Sequence, residues 1–157
     1  MRVSLIALAA LVALPASSAS LAQIAQPGAI SVEGLTPLAG RWSYRAYPGG
    51  SEATFANAGG IRLAIRCNRV ARSVSIVRSG VPAATPTLSV LTTSLSRTAP
   101  ARFAASLTLT ADFAIMDPLL DALSLSRGKF ATFALGAPLT AYPTSGEPSR
   151  VIEDCRS

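Results

Sequence analysis

Hydrophobic and polar positions alternate along much of this chain, and the period of two predicts strands. Trp42, Tyr44 and Ala46 alternate with Ser43, Arg45 and Tyr47 until Pro48-Gly49-Gly50 turns the chain. Ser51 to Ala56 reads as a short second strand with Ala53 and Phe55 on one face, and Asn57-Ala58-Gly59-Gly60 is a turn signal. Beyond it, Ile61, Leu63, Ile65 and Cys67 share one parity while Arg62, Ala64 and Arg66 share the other, so Cys67 points to the core. Asn68 to Ala71 is short enough for a hairpin, and Val74 and Ile76 carry the meander on toward Arg78 and Gly80. Pro82 and Pro86 make the segment 81–87 a loop or a sheet edge, and Leu88 and Val90 suggest a further strand. The longest alternation sets Phe103, Ala105, Leu107, Leu109 and Ala111 against Arg102, Ser106, Thr108 and Thr110, and it predicts one long strand.

Helical signals are fewer. Asp117-Pro118 opens a short helix, with Asp117 as N-cap and Pro118 at the first helical position before Leu119, Leu120 and Leu123. Two more strands follow, Lys129 to Leu135 and Leu139 to Tyr142, split by Gly136 and Pro138. In the tail, Val151, Ile152 and Cys155 share a helical face, and Glu147-Pro148 caps or precedes that helix. Short strands at regular spacing predict a mainly β fold, an antiparallel sandwich or a partly open barrel with one or two short helices.

The first residues carry a different pattern. Arg2 supplies a positive start, Leu5 to Leu14 an apolar run of about ten residues, and Pro15 a break before small residues. Such a run falls short of the roughly 20 residues a membrane-spanning helix needs. Cleavage after Ala19 or Ala22 fits the small-residue rule, and the latter divides the chain into a signal peptide (1–22), a flexible leader (23–39) and a single β-rich domain (40–157). No second apolar run of spanning length follows. The expected location is therefore periplasmic or secreted, where an even pair of cysteines in a small domain is a disulfide, Cys67 to Cys155. That bond ties the tail helix to the third strand. It closes a loop of about 90 residues, which restricts the unfolded chain by about 4 to 5 kcal/mol on chain-entropy grounds.

Composition removes several chemistries. The chain of 157 residues contains no His, so Ser-His-Asp and Cys-His catalysis and His-bearing zinc sites are excluded. No cofactor and no metal site is expected, because two cysteines cannot form a Cys-rich knuckle and no Asp-x-Asp-x-Asp run exists.

Charge is basic, with 14 Lys+Arg against 8 Asp+Glu. Arg62, Arg66, Arg69, Arg72 and Arg78 fall on two adjacent strands with no acid between positions 62 and 78, which predicts one basic face. Guanidinium forks match phosphates and carboxylates bidentately, so these five are the candidate binding residues for an anionic envelope polymer. The competing explanation is a solvated strand face in a chain biased toward Arg and Ala. Nucleic acid is not expected, since aromatics make up only 6% and do not interleave with the arginines.

Catalytic candidates are thin. Ser126-Arg127-Gly128-Lys129 has the Ser-x-x-Lys spacing of penicillin-recognising acyl enzymes, but Gly128 interrupts it and neither Ser-Asp-Asn nor Lys-Thr-Gly occurs. The remaining acid/base candidates are carboxylates, among them Glu52, Asp112, Asp117 and Asp121, with no obvious inward-facing pair.

Two stretches carry a resemblance. Asp121-Ala122-Leu123-Ser124-Leu125-Ser126-Arg127-Gly128-Lys129-Phe130, followed by Glu147-Pro148-Ser149-Arg150-Val151-Ile152-Glu153-Asp154-Cys155-Arg156, resembles the ending of small exported alphaproteobacterial proteins of uncharacterised function. In size, compartment and strand content the chain is also loosely similar to invasion-associated locus B proteins, although no diagnostic motif is shared. Taken together, the sequence predicts an exported, non-catalytic binding or structural protein of the cell envelope, contacting an anionic component or another envelope protein. The alternative is a small His-independent hydrolase using carboxylates or Ser126.

Overall fold

The computed structural model describes residues 31–157; the expected signal peptide and the start of the leader lie outside them. In chain order the elements are β1 (Arg41–Tyr47), β2 (Gly50–Asn57), β3 (Gly60–Asn68), β4 (Ser73–Ser79), β5 (Thr87–Leu91), β6 (Ser96–Ala104), β7 (Thr108–Ala114), α1 (Pro118–Ser124), β8 (Lys129–Phe133), β9 (Thr140–Pro143) and α2 (Gly146–Arg156). The strands form one nine-stranded sheet in the order β1-β2-β3-β4-β7-β6-β5-β8-β9, and every pairing is antiparallel. The fold is thus mainly β, a curled half-barrel with two short helices.

The curl is made by β6. Its first half pairs with β5, from Leu91↔Ser96 to Thr87↔Pro100, and its second half with β7, from Ala101↔Ala111 to Ala104↔Thr108. The switch falls at Pro100, which has no N–H to give a ladder. One strand therefore belongs to two sheet segments, and the segments fold toward each other. Inside the curl, Trp42 and Phe55 from β1 and β2 meet Phe130 and Tyr142 from β8 and β9, with ring centroids 5.4 to 6.2 Å apart. Trp42 Nε1 donates to the Pro143 carbonyl at 2.8 Å, so the indole buries its ring without losing its polar partner.

The inward parity read from the sequence holds on β3 and β4: Leu63, Ile65, Cys67, Val74 and Ile76 are all buried. Helix α2 packs over β1 to β4 with Pro148, Val151, Ile152 and Cys155 buried, and Cys155 is bonded to Cys67 with the Cα atoms 5.4 Å apart. The disulfide thus fastens α2 across one end of the half-barrel. Asp117 caps α1 by accepting from Leu119 N at 3.0 Å, and Leu119, Leu120 and Leu123 fill the space between α1 and the core.

Two expectations are corrected. The long alternating run through 102–111 is a hairpin rather than one strand: Ala105, Ser106 and Leu107 form a three-residue turn between β6 and β7, closed by Leu107 N donating to Ala104 O at 3.0 Å. Leu107 occupies the left-handed position (φ 57°) that glycine usually fills in such loops. The segment 31–39, expected as part of a flexible leader, is packed. Val32 is buried with Leu91, Ala131 and Ala141, Pro37 bridges to Ala141, and Leu38 N donates to the Ala141 carbonyl at 2.8 Å. Val32, Leu35 and Leu38 supply the apolar side chains that seat this stretch, a turn at Glu33-Gly34 and Pro37 notwithstanding.

Candidate functional site

The five arginines expected to share a face are separated by the register of the sheet. Arg66 points outward from β3 and pairs with Glu52 on β2, which also meets Arg45 on β1 at 3.5 Å. The same surface continues through Ser75, which donates to Asp112 at 2.6 Å, and Arg102, which pairs with Asp112. Arg66 therefore belongs to a belt of alternating charge. Hydrogen bonding to Arg102 holds the Asp112 carboxyl below its ordinary value, burial opposes this, and Ser75 adds to the lowering.

Arg69 and Arg72 flank the β3–β4 turn at the end covered by α2. Arg69 Nε donates to the Asp154 carbonyl at 3.0 Å, and Arg72 is exposed in a left-handed conformation (φ 48°), its carbonyl accepting from Ile115 N.

Arg78 goes the opposite way. It shares parity with Val74 and Ile76, so its side chain enters the interior and is only 2% exposed. Nη1 donates to the Thr132 carbonyl at 2.9 Å, and Nη2 donates to Thr140 Oγ1 at 3.2 Å and to the Pro138 carbonyl. These acceptors are neutral. Burial lowers the Arg78 pKa from its ordinary value, the nearby Tyr142 hydroxyl works against that, and the neighbouring Arg62 guanidinium adds to the lowering. Burial also raises the Tyr142 phenol, while the Thr132 hydroxyl and the two guanidiniums pull it back in part.

Arg62 reaches this neighbourhood through a bulge. Phe55 pairs with Leu63 and Ala56 with Ile61, which leaves Arg62 as the extra residue on β3. Its guanidinium lies against Gly80, whose missing Cβ would stand 3.5 Å from Nη2, and near Gly59, whose Cβ would stand 3.8 Å from Nη1. None of the five ion pairs among the described residues involves Arg62 or Arg78. The structure thus brings together two of the five arginines, at the end of the half-barrel away from α2, and gives neither a carboxylate. Arg78 was legible as inward-facing from its parity; Thr132, Thr140, Tyr142 and Gly80 were not legible as its surroundings.

The catalytic candidates are engaged structurally. Ser126 Oγ donates to the Lys129 carbonyl at 2.7 Å and accepts from Thr93 N at 3.2 Å, whereas Lys129 Nζ donates to the Glu33 and Leu35 carbonyls at 2.6 Å each. The ammonium is directed to the leader and not to the serine. Asp117 caps α1 and meets Arg97 at 3.3 Å, Asp121 meets Arg156 at 2.7 Å, and Asp154 accepts from Tyr44 Oη at 2.6 Å. Among the described residues no cluster of three acidic or Cys side chains is placed to hold a metal. A cleft of about 220 Å³ runs between residues 31–33 and 92–96. On its wall the Thr92 hydroxyl is already bonded to Leu95 within the turn.

The disulfide fits a compartment outside the cytosol, and no helix among the described residues is long and apolar enough to cross a membrane. No protein-family model, curated protein or solved structure matches the chain.

Proposed function

We propose that this chain is an exported, non-catalytic binding module of the cell envelope, acting in the periplasm or after secretion, and that it takes an anionic envelope component at the Arg62 end of the half-barrel. The observation that carries this reading is the half-buried Arg62 guanidinium beside Gly80, one strand from Arg78, with neither arginine in any ion pair among the described residues. Like charges held together in partly desolvated surroundings are unfavourable until an anion joins them. Arg62, half-buried at the rim, is the group a ligand can touch. Arg78, enclosed by Thr132, Pro138 and Thr140, reinforces the local field without being reachable. A pattern at residues 1–22 suited to export, together with the disulfide, supports the location.

The hydrolase alternative has less behind it, because Ser126 and the carboxylates named above are occupied by capping, pairing or turn hydrogen bonds. The test is co-sedimentation of the native protein with purified envelope fractions across a salt series, comparing wild type with Arg62→Gln and Arg66→Gln. Retention should be strong at low salt, weaken toward about 0.15 M as charges are screened, fall with Arg62→Gln and persist with Arg66→Gln. Unchanged retention of Arg62→Gln overturns the reading.

A further inference from the structure

The surroundings of Arg62 are not purely polar. The β3–β4 register sets Leu63 opposite Arg78, the β4–β7 register sets Ser79 opposite Thr108, and Val81 N donates to the Leu107 carbonyl at 3.1 Å. Gly80 therefore lies at the rim between Ile61-Arg62 on one side and Leu107 on the other. Two strand spacings put the Ile61 and Leu107 backbones about 10 Å apart. Both side chains are exposed, at 51% and 48%. Gly80 contributes no side chain between them, and the Arg62 guanidinium lies beside the position its Cβ would take.

A cation beside a side-chain gap, bordered by two exposed aliphatic residues, suits a ligand with a compact anionic head and an apolar body. A head with several acceptor oxygens matches the guanidinium fork of Arg62, while Arg78 on the neighbouring strand has its donors committed to Thr132, Pro138 and Thr140. A phosphate monoester carries about −1.5 to −2 charge near pH 7 and offers three acceptor oxygens to a guanidinium fork. Building on the Arg62 reading, we infer that the rim formed by Ile61, Arg62, Gly80 and Leu107 binds a phosphate-bearing amphiphile, with the phosphate on Arg62 and the hydrocarbon across Ile61 and Leu107.

The experiment is calorimetric titration of the natively purified protein at low ionic strength with inorganic phosphate and, separately, with octyl phosphate below its micelle concentration. Partial burial of the alkyl chain should make octyl phosphate bind at least about tenfold tighter than phosphate. Ile61→Ser combined with Leu107→Gly should bring that ratio close to one, and Arg62→Gln should weaken both ligands. Equal affinity of the two ligands, with Arg62 still required, overturns the amphiphile and leaves a free-phosphate site. Failure of both ligands to bind wild type, or binding indifferent to Arg62→Gln, overturns the anion reading as well.

Discussion

Arg78 on β4 and Thr132 on β8 are joined across the inside of the half-barrel, Nη1 donating to the Thr132 carbonyl at 2.9 Å over 54 residues of sequence. The same guanidinium holds Pro138 and Thr140 on the following loop and strand. One side chain thereby links the β3–β4 part of the sheet to the β8–β9 hairpin, whose strands are far from β4 in the pairing order. Removing it takes this donor from the buried Thr132 carbonyl, whereas the exposed Pro138 carbonyl keeps the Thr140 hydroxyl as a donor. Arg78→Met should lower unfolding free energy by about 1 to 3 kcal/mol, the cost of one unsatisfied buried acceptor, with the removed buried charge returning part of it. Urea denaturation at unchanged slope measures it, and a loss below about 0.5 kcal/mol would show that water replaces the guanidinium freely.

The disulfide makes a second, separable contribution. Cys67 and Cys155 are 1% and 3% exposed and stand 88 residues apart. Reductant should not reach the bond in the folded protein, so alkylation by mass spectrometry should find both sulfurs protected until denaturant is added. The Cys67→Ser, Cys155→Ser double variant should lose about 4 to 5 kcal/mol if the loop-closure account holds. Rapid reduction under native conditions would show that α2 detaches readily from the sheet.

The inward parity of Cys67 and Arg78 could be read from the sequence because side-chain direction alternates residue by residue along a strand. The β6–β7 turn could not. A three-residue loop pairs residues of like parity, Phe103 with Leu109 and Ala101 with Ala111, so the alternation passes through the turn unbroken. No glycine or proline marks the turn itself. The five-arginine face dissolved for a related reason: a bulge moved Arg62 relative to Arg66, and Arg78 had the inward parity from the outset. The partners of Arg78 come from loops and strands whose approach depends on the curl at Pro100, which no local pattern encodes.

Leu107 offers a test of the turn. Its φ of 57° is unfavourable for a residue with a Cβ, and half of its side chain is already in water. Leu107→Gly should raise stability by about 0.5 to 1 kcal/mol, the relief of left-handed strain exceeding the added backbone freedom of the unfolded chain. Gly49→Ala, at φ 86° in the β1–β2 turn, should shift the urea midpoint the other way. A destabilised Leu107→Gly would mean that the side chain contributes packing that its exposure conceals.

Acid should weaken the fold through Asp154 and Asp112. Burial alone would raise the Asp154 carboxyl, but the Tyr44 and Ser51 hydroxyls with the Arg150 and Arg69 guanidiniums outweigh it and hold the group below its ordinary value. Asp112 is lowered by Arg102. A carboxyl depressed in the folded state stays ionised there at a pH where the unfolded chain has begun to bind protons. Its contribution is therefore complete above the unfolded value of about 4 and is lost as the pH falls through the folded value. Urea midpoints measured from about pH 6 down to pH 2 should decline, and Asp154→Asn should flatten part of that decline. A curve with the wild-type slope in Asp154→Asn would remove the carboxylate from the account.

Lys129 holds the leader through two carbonyls, Glu33 and Leu35, each 2.6 Å from Nζ. Hydrogen bonds from a charged donor contribute about 1.5 to 3 kcal/mol each, and their loss is felt locally because segment 31–35 has few other polar ties to the sheet. Lys129→Met should speed amide exchange at Leu35, whose N–H donates only to Val32 within the leader, by at least about tenfold. Leu38, whose N–H donates to Ala141 beside the Pro37 bridge, should change little. The core strands should also keep their protection, since the disulfide and the aromatic cluster lie elsewhere. If Leu35 exchanges at the wild-type rate, the burial of Val32 against Leu91, Ala131 and Ala141 is sufficient by itself to seat the leader. If Leu38 and the β8–β9 amides are released together with Leu35, the leader is instead an integral part of the sheet edge, and Lys129 stabilises the half-barrel as a whole.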